Sequence, residues 1–263
     1  MSQIDVLIPL SEINFHQDEI LDIKRNELVP LLNDQYQLNL YADQIVNEQS
    51  NLLDGVDPFL TQQLSQTIEQ LISTLANSKK YLKKRKFNSL QKWLGIDIEY
   101  GSGQIEYYKN LDVLLDRANH LSQKLQIEIQ QNNQKYAKVV QLRKKMALYI
   151  HSANEFLIEY PNFAQNTHPL DNFAERLSKK INTLQTLQAS NDIAITQMRL
   201  SQQLSFALLD RFKEAQQVLI PAWQYHVKQS QQSYSTTEME KLDNSRENLI
   251  KTLKKSLEKP SKS

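Results

Sequence analysis

An apolar repeat in steps of four and three runs without Pro or Gly from Leu111 to Leu157. Its positions are Leu111, Leu115, Ala118, Ser122, Leu125, Ile129, Asn132, Tyr136, Val139, Arg143, Met146, Ile150, Ala153 and Leu157. A 3.5-residue repeat held this long describes a helix that lays one narrow seam against a partner helix. At 1.5 Å per residue the rod is about 70 Å long. Ser122, Asn132 and Arg143 are the polar seam positions, and such residues fix register and partner choice at a cost in stability.

A second long helix supplies the partner. His168-Pro169 opens it, and Leu170, Phe173, Leu177, Ile181, Leu184, Ile195, Met198, Leu204, Leu208, Phe212 and Leu219 mark its apolar face. The rod is expected to end near Tyr160-Pro161, and a short loop between long helices gives an antiparallel hairpin. Folding back near residue 164 sets the amides of 130–134 opposite 191–197, where a polar layer is expected. Pro221 is expected to kink or stop the second arm. A third helix then runs over 222–257, with a capping-box spacing at Ser235-Thr236-Thr237-Glu238 that either starts a fresh helix or lies within a continuing one.

Upstream, the pattern suggests a helix over 12–29 ended by Pro30, and a second that ends before Asp54-Gly55. A third starts at Asp57-Pro58 with Asp as N-cap and carries Leu60, Leu64, Ile68, Leu71, Ile72 and Leu75. Six of the eight residues from Lys79 to Lys86 are basic, and Phe87, Leu90, Trp93 and Leu94 follow at helical spacing. This is a solvated connector or a contact for acidic lipid or nucleic acid. Gly95 and Gly101-Ser102-Gly103 are expected to loosen the chain before the rod. The fold expected is all-α: an elongated, coiled-coil-like bundle built on the hairpin 105–160 and 168–220. Its divisions are an N-terminal helical region with basic connector (1–95), the hairpin with C-terminal helix (96–258) and a frayed tail (259–263). Only 4 Gly and 7 Pro in 263 residues agree with that reading, since sheets and tight turns consume Gly.

Chemistry is harder to find. With no Cys there is no disulfide, thiolate metal site or Cys nucleophile. His16, His120, His151, His168 and His226 form no compact metal motif, and His151 with Glu155 makes at most one helical pair. Gly is too scarce for a phosphate-cradling loop, and there is no nucleophile elbow. No catalytic, cofactor-binding or metal-binding residue is assigned, and no enzyme activity is expected. A net charge of +1 provides no global field to steer nucleic acid or membrane toward the chain. No apolar run approaches the roughly 18 residues of a membrane span, and residues 1–10 lack the pattern of a signal peptide. The cytoplasm is the expected location, with peripheral attachment to the inner membrane as the alternative.

The order of features resembles the toxic-anion-resistance family, the TelA-type tellurite-resistance proteins of bacteria. The resemblance spans about residues 15–255. It rests on Lys83-Lys84-Arg85-Lys86-Phe87 with Trp93-Leu94-Gly95, and on Gln131-Asn132-Asn133 and Ala189-Ser190-Asn191-Asp192 in the two long helices. Ile220-Pro221-Ala222-Trp223, then Ser235-Thr236-Thr237-Glu238 with Leu242, Asn244 and Asn248, complete it. The chain departs from the family pattern at Gln224, where Lys is usual, and lacks Gly in Val227-Lys228-Gln229-Ser230. The resemblance implies a cytoplasmic accessory protein linked to resistance against tellurite or other envelope stress. It carries no catalytic residue across. With no catalytic constellation in the sequence, the leading expectation is a non-enzymatic helical scaffold for a protein partner. Candidate interaction residues are Lys79, Lys80, Lys83, Lys84, Arg85, Lys86, Trp93, Pro221, Trp223 and Gln224. The rival is a binder of acidic membrane, with nucleic acid disfavoured, that uses Lys79 to Lys86.

Overall fold

The long seam folds as one helix. A computed structural model describes residues 7–32, 34, 36–78, 81, 88–89, 91, 96–163, 172–232 and 236–258, and among these there is no strand. The helices described include α1 (Gln17–Ile23), α2 (Val29–Leu31), α3 (Asp43–Ser50), α4 (Pro58–Ala76), α5 (Ile96–Phe163), α6 (Phe173–Glu214), α7 (Ile220–Gln232) and α8 (Thr236–Leu257). None of the fourteen seam positions in α5 is exposed, polar ones included. The class expected from the repeat is therefore the class observed: all-α, built on two long antiparallel helices.

The chain divides into two compact units interleaved in sequence. One is Met1–Gly55 with Asn132–Leu200; the other is Val56–Gln131 with Ser201–Ser263. In the first, Leu142, Met146, Ile150, Ala153 and Phe156 of α5 pack with Phe173, Leu177, Ile181 and Leu184 of α6. The N-terminal segments cover them with Ile23, Leu28, Leu31, Leu38, Tyr41 and Ile45. In the second, Leu64, Ile68, Leu71 and Leu75 of α4 meet the first half of α5, the end of α6, and α7 and α8. Asp57 caps α4, accepting from the Phe59 N–H at 2.9 Å, with Pro58 at the first helical position as expected.

Pro221 does not stop its helix, and Pro30 stands in the last turn of its own, which ends at Leu31. Pro30 and Pro221 each stand two residues beyond a π-helical turn, Lys24–Leu28 and Ala215–Leu219 respectively. The N–H of Val29 bonds the Lys24 carbonyl and that of Ile220 the Ala215 carbonyl, each five residues back. The wider turn makes room for the ring and the missing donor of proline, and past Pro221 the helix continues to Gln232. Pro161 is likewise inside the last turn of α5, where it removes one bond only.

Gly101 and Gly103 do not loosen the chain; α5 already begins at Ile96. The ring of Tyr81 lies 3.8 Å from where a Gly103 side chain would stand and stacks on Tyr107, so tertiary contact supports a turn that propensity disfavours. Conversely, the second predicted helix is broken. After a 3-10 turn at Gln37–Leu40, Ala42 takes a left-handed φ of 62° before α3. Tyr41, buried and donating its hydroxyl to the Tyr149 carbonyl at 2.9 Å, draws the chain out of helix there. The C-terminal helix is two helices, and α8 starts afresh at Thr236.

Candidate interaction surface

The Pro221–Trp223 step is divided by the helical period into an inward and an outward half. Trp223 is 1% exposed and packs with Leu71, Leu75, Leu111, Leu115, Leu249 and Leu253. Among the described residues it is the largest fully buried side chain of the second unit, which places it in the core. Pro221 and Gln224 face out, and Tyr225 is exposed with its ring edge-to-face on His226 at 5.6 Å. One step thus anchors α7 with its indole and presents the opposite edge to solvent.

Lys79, Lys80, Lys83, Lys84, Arg85, Lys86 and Trp93 lie outside the described residues. Tyr81, among them in sequence, is described: its backbone carbonyl accepts from the Gln104 amide, and its ring stacks on Tyr107 at 5.1 Å. Both tyrosines wall an open groove of about 510 Å³ with Thr74, Asn77, Glu106, Lys109 and Asn110. Burial raises the Tyr107 pKa, which keeps this phenol protonated.

The polar layer of the hairpin is present but differs from expectation. Arg143 donates from Nε and Nη2 to the two carboxylate oxygens of Asp192, both at 2.8 Å. Gln188 Nε2 donates to Asp192 Oδ1 at 2.7 Å, and Asn191 Nδ2 to Gln49 Oε1 at 2.9 Å. Arg199 Nη1 reaches the Tyr136 hydroxyl at 3.3 Å. The pairs 143 with 192 and 136 with 199 share the midpoint 167.5, so the hairpin turns later than 164 and the register is shifted. The cause is the connection, since α5 runs on to Phe163 and α6 begins only at Phe173. A seam Arg signalled this node; its Asp, off the apolar face of α6, did not.

Of a second cluster the sequence named only the His151–Glu155 pair, which forms; its Lys24 and Glu159 went unseen. Lys24 Nζ meets Glu155 Oε2 at 2.7 Å and Glu159 Oε1 at 2.9 Å, and His151 Nε2 lies 3.0 Å from Glu155 Oε1. Burial pulls the Lys24 pKa down, but the hydrogen bonds to the two carboxylates outweigh it and the net shift is upward. Those from Lys24 lower Glu155. Two like charges at i and i+4 disfavour a helix unless a cation joins them, and this was the available signal. Nearby, Tyr149 has its ring 5.8 Å from Lys145 Nζ and its hydroxyl 3.5 Å from Glu27, and these side chains line a pocket of about 190 Å³ with Tyr41 and Ala42. Among the described residues no group of three or more His, Asp or Glu is placed to hold a metal.

These features define a long-helix, all-α protein whose polar residues tie its helices together. No family model matches the chain. No solved structure matches it. Over 192 residues it is 32% identical to protein KlaA of Escherichia coli, an alignment covering 69% of this chain and 70% of that protein. The chain belongs to the KlaA family, in agreement with the resemblance to toxic-anion-resistance proteins carried by its motifs. No helix among the described residues is long and apolar enough to cross a membrane.

Proposed function

We propose that this protein is a non-enzymatic helical accessory protein in bacterial resistance to toxic anions such as tellurite, or to envelope stress, acting in the cytoplasm by holding a protein partner. The observation that supports this most is its 32% identity with KlaA over more than two thirds of both chains. The placement of α7 is consistent with it: a helix anchored by a buried Trp presents Pro221 and Gln224 on a fixed surface, and rigid presentation is what a docking face needs.

The test is complementation. A strain lacking the protein should grow poorly on tellurite and recover with the wild-type chain. A Pro221→Ala/Gln224→Glu variant should fold normally yet fail to restore growth and fail to retain the partner captured by the wild type. Full resistance in the deletion strain would overturn the resistance role; full complementation by the variant would clear this surface of it.

The membrane-surface reading keeps one supporting observation, the anchoring of Tyr81 on α5 at the foot of the basic stretch. Its test is the triple change Lys83→Glu, Lys84→Glu, Arg85→Glu. Binding to vesicles rich in anionic phospholipid that survives this change would exclude the basic stretch as the contact.

A further inference from the structure

The thirteen residues from Ala215 to Val227 contain no Asp, Glu, Lys or Arg, in a chain that is 23% charged. It is the longest uncharged run in the sequence. Part of the run is core, as Trp223 and Val227 show, but its outer side is not. Val218 is 60% and Tyr225 63% exposed, Pro221 is exposed, and Ala222 is half-buried between them. The spacing 218, 221, 222, 225 puts these four on one side of the helix. Solvent-facing helix is normally charged, while interface cores are depleted of charge and enriched in Tyr.

Glu214 and Lys228, both exposed, close this strip with opposite signs. Turned end over end, the strip matches itself. An axis between residues 221 and 222 sets Val218 opposite the second copy's Tyr225 and Pro221 opposite the second copy's Ala222. It also brings Glu214 beside the second copy's Lys228. A parallel arrangement would oppose like charges at both ends. Glu214 already has a contact, Arg211 Nη1 at 3.4 Å, but both side chains are about half exposed and such pairs are weak.

We propose that the outward face of α7 binds a second copy of this chain, antiparallel, about a two-fold axis between Pro221 and Ala222. Two-fold pairing of one patch with itself is the commonest form of homo-oligomer. The strip is short, so the dimer is of the concentration-dependent kind. The inference rests on the docking reading above and names the occupant of that α7 face as a second copy of this chain; the sedimentation series tests it separately from the growth assay.

The test uses the full chain, whose lack of Cys makes single thiols clean reporters. Sedimentation over a concentration series should show a reversible monomer–dimer equilibrium. Ala222→Cys should be joined by a short bis-maleimide about ten times faster than Asp210→Cys, through the local concentration that pairing creates. Val218→Asp/Tyr225→Asp should be monomeric with unchanged helical circular dichroism, whereas Phe206→Asp, which alters an exposed residue on α6, should still dimerise. Glu214→Lys should weaken the dimer, and Glu214→Lys/Lys228→Glu should restore it. A chain monomeric throughout, a dimer surviving the Val218/Tyr225 change, or a thiol at 222 no faster than one at 210 would each overturn the proposal. Charge-swap loss without rescue would overturn the antiparallel register.

Discussion

The Arg143–Asp192 pair makes an asymmetric prediction about stability. Arg143's side chain is 6% exposed and Asp192's is 26%. Removing one partner of a buried pair costs about 3–5 kcal/mol, because the survivor stays out of water without its countercharge. Asp192→Ala strands the more buried charge, so it should cost the full amount, about 3–5 kcal/mol. Arg143→Met keeps an apolar stem in the seam. It leaves a carboxylate that water reaches and that Gln188 still holds at 2.7 Å. Its cost should be that of charge-assisted hydrogen bonds, about 1.5–3 kcal/mol. The double change Arg143→Met/Asp192→Leu should recover most of the loss, since packed apolar replacements of buried pairs are often neutral or better. Because the chain has two units, the assay is native-state hydrogen exchange, read separately in 132–200 and 201–258. Protection should fall in the first range, more for Asp192→Ala than for Arg143→Met. Equal losses, or a larger loss for Arg143→Met, would refute the argument from burial.

Trp223→Ala should lower stability by about 3–5 kcal/mol, seen as a lower melting temperature, because the indole fills the core between α4, α5 and α8. Asn132 is 2% exposed and its amide oxygen and nitrogen have no hydrogen-bond partner, so Asn132→Leu should stabilise the chain by about 1–3 kcal/mol, measured by urea unfolding. Glu155 has a pKa held below the ordinary 4.5 by Lys24; its contribution is present above 4.5 and lost as pH falls through the lowered value. Lys24→Met should therefore flatten the acid limb of the stability–pH curve, and an unchanged limb would rule this ion cluster out as its cause. Lys24 itself is raised above 10.5, so in the wild type its contribution persists below that pH and fades only above it.

The apolar repeat determined the long helix and its partner, because a period of 3.5 over fourteen positions has no other low-energy use. It also named the polar seam residues: Ser122, Asn132 and Arg143 are all buried, as their places in the repeat required. The Asp57-Pro58 start of α4 was legible for a similar reason, since capping is local chemistry. The family, too, could be read from the order of short motifs along the chain.

What the tertiary structure decided was non-local. A proline kinks or ends a helix when considered alone, yet the helix runs on past Pro221 to Gln232 after a π turn that only the packed helix makes stable. Conversely, Ala42 leaves the helix because Tyr41 finds a carbonyl 108 residues away. The partners of Arg143 and Lys24 stand 49 and 131 residues distant, so charge alone could not identify them. The hairpin register followed the length of the connection and not the amide-rich centres, because one bidentate ion pair at 2.8 Å fixes a register more firmly than amides that water satisfies equally well. The same holds for α7: its sequence announced a Trp two residues after a Pro, but only packing decided which edge turned inward and which faced solvent.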